Sequence, residues 1–133
     1  MDSKQLLGKW IDAFKAADID ALIACYAADA VNFQIAAEPV IGIERIQTDF
    51  EQFFHAFPDA YSDVENVLGD GDWAAWEWSG GGTFMGEFLG KPPTGRSFKL
   101  RGCGFFHFRD GKIVFQRGYW DKETWFSQIA LTF

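Results

Sequence analysis

Residues Ser97 to Asp121, SFKLRGCGFFHFRDGKIVFQRGYWD, constrain this chain more than any other stretch, because they read as two long β-strands joined at Arg109-Asp110-Gly111. A turn of this composition suits a three-residue loop, a type I turn closed by a glycine in the left-handed region and a bulge. Such a loop sets Phe108 opposite Lys112, Phe106 opposite Val114, Gly104 opposite Gln116 and Gly102 opposite Gly118 on one face, since side chains alternate along a strand. Arg101, Cys103, Phe105, His107, Phe115, Arg117 and Tyr119 fall on the other. Both faces carry large apolar groups, and a sheet apolar on both sides needs two covers. The even-numbered face is read as the floor of a pocket under a helical layer, and the odd-numbered face as the contact with a second copy of the chain. A loop one residue shorter would pair odd with even positions and dissolve this division.

The rest of the chain supplies the helical layer first. Asp2 can cap a helix, with Gln5 completing a capping box, and Leu6, Leu7, Trp10, Ile11 and Phe14 make one apolar face. Asp18 caps a second, short helix whose Ile19, Leu22, Ile23 and Tyr26 point inward; Asp29-Ala30 breaks it, and Val31 to Ile35 is a short strand. Gly42 leads into a third helix, where Ile43, Ile46, Phe50, Phe53, Phe54 and Phe57 fall at helical spacing before Pro58 stops it. Tyr61–Leu68 and Trp73–Thr83 are strands around a Gly69-Asp70-Gly71-Asp72 hairpin signal, Met85–Arg96 is a Gly- and Pro-rich loop, and Asp121 caps a last short helix. Helices followed by antiparallel strands give an α+β fold: a curved sheet wrapped around packed helices as a cone, in one domain over residues 1–133.

Composition narrows the function. With 15 Phe and 6 Trp in 133 residues, rings must fill a core or line a cavity for an apolar ligand. A net charge of -7 without Lys or Arg clusters argues against nucleic acid and anionic membranes as partners. Cys25 and Cys103 have no metal-ligand or CxxC spacing and read as free thiols; with no leader-like or membrane-spanning run, the expected compartment is the cytoplasm.

Several motifs then carry a resemblance. Gly82-Thr83, Gly86-Glu87-Phe88-Leu89-Gly90, Pro92-Pro93-Thr94-Gly95-Arg96, Arg101-Gly102, Phe106-x-Phe108-x-Asp110-Gly111-Lys112-Ile113-Val114, Tyr119-Trp120-Asp121 and Ala56-Phe57-Pro58-Asp59 resemble the SnoaL-like polyketide cyclases over nearly the whole chain. That family sits in the nuclear-transport-factor-2-like superfamily with ketosteroid isomerases and limonene-epoxide hydrolases. The resemblance implies a cone-shaped α+β barrel, a dimer through the outer sheet face, and an internal ligand cavity. It also implies chemistry without metal or cofactor, in which an aspartate and nearby histidines move protons during an aldol closure. The positions that match those residues are Gly118, Gln116 and Gly104, and none can transfer a proton. The isomerases' base matches Gln34, and their oxyanion donors match Gly104 and Trp10.

Asp121 is the one carboxylate near the expected catalytic place, although an N-cap for the last helix is the better reading of it. Asn32, Gln34, Gln116 and Trp10 are expected to form a neutral hydrogen-bonding set around a ligand, with Gly104 and Gly118 in the floor and Phe14, Phe50, Phe54, Trp76, Trp78 and Phe88 as apolar walls. The expected function is a homodimeric protein holding a small aromatic, polyketide-like or terpenoid-like molecule; if it is an enzyme, the reaction is a cofactor-free cyclisation, isomerisation or dehydration. Two alternatives stand beside this: a non-catalytic binding or assembly module, and an epoxide hydrolase that would need Arg101 and Asp121 to meet inside the pocket.

Overall fold

The computed structural model describes Met1–Phe133. Its elements are α1 (Ser3–Lys15), α2 (Ile19–Ile23), β1 (Tyr26–Gln34), β2 (Val40–Ile41), α3 (Ile43–Ala56), β3 (Tyr61–Asp70), β4 (Trp73–Thr83), β5 (Ser97–Arg109), β6 (Lys112–Trp120) and α4 (Lys122–Gln128). The strands form one six-stranded sheet in the order β2-β1-β6-β5-β4-β3, curved and unclosed, with β1 parallel to β6 and the other pairs antiparallel. The α+β expectation therefore holds, with an open sheet in place of a closed barrel.

Local chemistry explains the helix starts. The Asp2 side chain accepts from the Gln5 amide while the Gln5 side chain accepts from the Asp2 amide, a complete capping box. Asp18 accepts from the Ala21 amide at the head of α2. Gly42 precedes α3 at φ +93, a backbone conformation that glycine adopts without strain.

Three expectations need correction. The β5–β6 loop is the shorter one: Asp110 and Gly111 have φ +53 and +76, the signature of a two-residue type I′ turn. Arg109 thus faces Lys112 and Phe108 faces Ile113, which alone would set odd against even; a bulge between His107 and Phe108 on this ladder then shifts the pairing by one. Beyond it Phe106 faces Gln116, Gly104 faces Gly118 and Gly102 faces Trp120. The bulge restores the even–even faces but moves every pair two positions from the expected register, and Ile113, not Val114, fills the core there. Second, β1 begins at Tyr26 rather than Val31: Tyr26 already pairs in parallel with Ile113 of β6, and an irregular stretch carries the strand on to the regular pairing that starts at Val31. Tyr26 is consequently a buried strand residue and not part of α2. Third, β3 runs on to Asp70, while β4 starts at Trp73 as expected, which shortens the expected four-residue hairpin loop to Gly71-Asp72.

Two apolar clusters hold the molecule together. One joins α1, α2 and α3 to the inner sheet face through Leu7, Trp10, Ile11, Leu22, Ile46, Phe50, Trp76 and Phe106. The other gathers Phe57, Phe84, Phe98, Leu100, Trp125 and Ile129 where α4 and the loop after β4 fold back on the sheet. The triple glycine of β4 serves close approach: a Cβ on Gly80 would lie 2.4 Å from the Tyr61 carbonyl, and one on Gly81 would lie 2.3 Å from that of Phe98.

Candidate functional site

Between the two clusters lies a cavity of about 600 Å³, within the range of small-molecule sites. Of its 33 lining residues 21 are hydrophobic, so its occupant must be largely apolar.

Cross-strand pairing builds the polar part of the wall. Asn32 and Gln34 alternate onto the inner face of β1, where Asn32 pairs with Gln116 and Gln34 with Gly118. One row across the sheet therefore reads Gln34, Gly118, Gly104, Trp76. The two glycines are not empty space. A Cβ on Gly118 would fall 2.0 Å from Gln34 Oε1, and one on Gly104 would fall 3.3 Å from Trp76 Nε1. Gln34 lies across β6 in the room Gly118 leaves and reaches Trp120, whose indole N–H donates to Gln34 Oε1 at 2.8 Å. Gln34 Nε2 donates in turn to Asn32 Oδ1 at 2.7 Å.

A second chain of hydrogen bonds starts on α1. Trp10 Nε1 donates to the Tyr26 hydroxyl at 2.9 Å, and Tyr26 donates to Gln116 Oε1. All three residues are buried, and burial pushes the Tyr26 phenol far up, against a smaller downward pull from the Trp10 bond. The phenol is neutral, and so is the whole network.

The structure brings Trp10, Phe14, Asn32, Gln34, Phe50, Trp76, Trp78, Phe88, Gly104, Gln116 and Gly118 to the cavity wall. Phe54 is not among the lining residues; it is turned against Phe14 and Phe53, each at 5.4 Å between ring centroids, and is plain core. Trp10 lines the wall with its ring, but its N–H is spent on Tyr26 and cannot serve as the ligand donor expected of it. Asp121 does not reach the cavity. It is exposed at the head of α4, and the Thr124 hydroxyl, more than any backbone amide, holds its carboxyl below the usual range. It borders a separate depression with Lys99 and Arg101, so the pair that an epoxide hydrolase would need lies outside the apolar cavity. His107 stacks on Trp73 at 4.6 Å, and His55 is exposed.

Four wall residues that sequence reading did not single out bear on the chemistry. Trp120 shares the inner face of β6 with Gln116 and Gly118, so alternation alone could have found it. Asp49 is three residues after Ile46 and four before Phe53, the spacing of one helix face, but a carboxylate hides inside an apolar stripe. It is exposed to solvent on one side, and its burial on the other raises its pKa against the lowering effect of Arg45. Trp125 and the buried Ser62 complete the set. No three His, Cys, Asp or Glu side chains gather into a metal-binding group.

The sequence profile of the SnoaL-like polyketide cyclases matches residues 4–129. The chain belongs to that family. No functionally curated protein matches it in sequence. Among solved structures, a Jannaschia sp. CCS1 protein assigned as a SnoaL-like polyketide cyclase superposes with a TM-score of 0.87 at 23% identity, over 98% of this chain and 94% of that one. IdmH from Streptomyces antibioticus, assigned as a polyketide cyclase, gives 0.79 at 27% identity over 98% and 99%. A Catenulispora acidiphila DSM 44928 protein with a ketosteroid isomerase-like fold, solved in complex with trimethylamine, gives 0.79 at 17% over 96% and 93%. These likenesses fix the architecture of this SnoaL-like chain. Its wall differs from what the family resemblance implies for catalysis, since positions 118, 116 and 104 carry glycine, glutamine and glycine.

Proposed function

We propose that this SnoaL-like protein binds a small, flat, mostly apolar molecule of aromatic, polyketide or terpenoid type and orients it through neutral amide groups. The observation that carries the reading is the ring-lined cavity whose inner polar wall is the half-buried Asn32 and Gln34 and the buried Gln116, joined in neutral hydrogen-bond chains. Fluorene, an apolar tricycle of fitting size, tests it: we expect one molecule per protomer by calorimetric titration, with the indole N–H resonances of Trp76, Trp78 and Trp120 shifted. Failure of any tricyclic ligand to bind would sink the reading.

Asp49 favours a second reading, in which the bound molecule undergoes a cofactor-free proton transfer. It is a cavity-lining carboxylate whose partial burial raises its pKa, the property a general base near neutrality needs. A base acts when deprotonated. Turnover, where found, is therefore expected to fall on the acid side through a limb lying above the ordinary carboxylate value of about 4. Asp49→Asn removes that limb together with most of the rate, and an unchanged pH profile in the variant rules the reading out.

The outer face is proposed as the seat of a second copy of the chain. Phe105 and Tyr119 are exposed there at 38% and 40%, and the Arg117 guanidinium lies over both rings while its buried Nε has no partner. Sedimentation should give a dimer that Phe105→Glu converts to monomer; a monomeric parent protein would remove this part of the proposal.

A further inference from the structure

The direction of each hydrogen bond in the cavity wall can be worked out, because both chains start from an indole, and an indole N–H can only donate. Trp10 donates to Tyr26, so the phenol oxygen is an acceptor there and its single hydrogen goes to Gln116 Oε1. The amide oxygen of Gln116 is thereby committed, and its NH2 is left at the cavity wall. Trp120 likewise donates to Gln34 Oε1, which turns the Gln34 NH2 toward Asn32 Oδ1 and leaves the Asn32 NH2 at the end of the chain. Two independent chains, one entered from α1 and one from the end of β6, thus finish on the same kind of group.

Each of these groups is a donor that lacks an acceptor. The carboxylates Glu38 and Asp49 belong to the exposed rim and take no part in either chain, and the Ser62 hydroxyl can act either way. Building on the cavity reading above, we propose that the site selects molecules whose polar groups are acceptors without hydrogen: a flat apolar skeleton bearing ketone- or quinone-type carbonyl oxygens, held by the amide N–H groups of Gln116 and Asn32. A molecule of the same shape whose polar group is an N–H that can only donate meets donors and leaves hydrogens unpaired on both sides, which is costly in an apolar site. The glycine at 118 is what makes this polarity possible, because Gln34 reaches Trp120 only across the space a side chain there would fill.

Fluorene, carbazole and 9-fluorenone test this with one tricyclic outline that carries, at a single position, a CH2, an N–H donor or a C=O acceptor. The full chain is titrated calorimetrically with each. We expect fluorenone to bind about tenfold more tightly than fluorene, the share of one well-made hydrogen bond, and carbazole to bind no better than fluorene. The carbonyl stretch of bound fluorenone should lie below its position in an apolar solvent. Two variants separate the chains: Gln116→Leu removes one terminal NH2, and Gly118→Ala pushes the flexible end of Gln34 out of its place. In at least one of them the ratio of fluorene to fluorenone dissociation constants should shrink to about twofold or less. Equal binding of fluorene and fluorenone to the unaltered protein, tightest binding of carbazole, or an undiminished preference in both variants overturns the donor assignment and leaves the apolar cavity standing. Binding of none of the three overturns the cavity reading itself and the assignment with it. Because the infrared shift and the preference are read first on the unaltered protein, a variant that fails to fold does not shelter the proposal.

Discussion

Phe57→Ala is expected to lower the unfolding free energy by about 3–5 kcal/mol, the largest loss any single truncation in this chain should produce. Phe57 is fully buried and closes α3 at the point where the second apolar cluster converges. Its ring centroid lies 5.3 to 5.6 Å from those of Phe84, Phe88, Phe98 and Trp125, and 5.4 Å from that of Phe53. Removing the ring takes away its transfer free energy and opens a cavity that five rigid aromatics on α3, β5, α4 and the intervening loop cannot all move to fill. In a domain of this size the melting temperature should drop by roughly 10–20 °C. Phe57→Leu, which keeps most of the volume, should cost less than about 1.5 kcal/mol. Chemical denaturation of both variants checks this, and a loss below about 1 kcal/mol for the alanine variant would mean that the cluster is plastic.

Tyr26→Phe is the second large effect, and it acts through hydrogen bonds rather than volume. The hydroxyl accepts from Trp10 and donates to Gln116, so its removal leaves a buried indole N–H and a buried amide oxygen unpaired at once. With about 1–3 kcal/mol for each orphaned group, and Gln116 free to turn, the expected loss at neutral pH is about 2–3 kcal/mol. The same substitution has a pH signature. Burial raises the folded-state pKa of Tyr26 above that of a free phenol, so the folded state keeps its proton where the unfolded chain gives it up. The stability tied to this group is fully present below about pH 10 and is lost as pH rises beyond it. The unaltered protein should therefore lose stability steeply on the alkaline side, and Tyr26→Phe, lower at pH 7, should flatten that limb. Parallel alkaline profiles for the two proteins would show that Tyr26 is not the buried phenol described here.

The parts of the fold legible in the sequence share one property: their cause is local. Asp2 and Gln5, Asp18, and Gly42 with Pro58 mark helix ends because the groups that satisfy or break those ends are within a few residues. The strand Trp73–Thr83 was visible from its own alternation, with the same limits in the structure. The polar part of the cavity wall was legible for the same reason: Gln116 and Gly118 on one strand, and Asn32 and Gln34 on another, are fixed to one face by a period of two.

What stayed hidden depended on partners far along the chain. The start of β1 has little strand propensity of its own and is anchored through Tyr26 to Ile113 of β6, far along the chain. Tyr26 looked like the last apolar residue of α2 until that pairing placed it between Trp10 and Gln116. The hairpin turn shows the limit most clearly. Arg109-Asp110-Gly111 announces a tight turn but not whether two or three residues form it, and the single bulge that repairs the parity is chosen by the core, which takes Ile113 and Gln116 together on the inside.

The order and nature of the elements, the ring-rich interior and the absence of a proton-transferring side chain at positions 104, 116 and 118 were set by the sequence read alone, since each follows from residue type and short-range spacing. Only the folded chain decided what fills the places those residues leave. Gln34 lies over Gly118, Trp76 over Gly104, and two indoles on separate elements point a network of amides one way, because hydrogen-bond direction and close packing depend on atoms brought together in space and not on their order along the backbone.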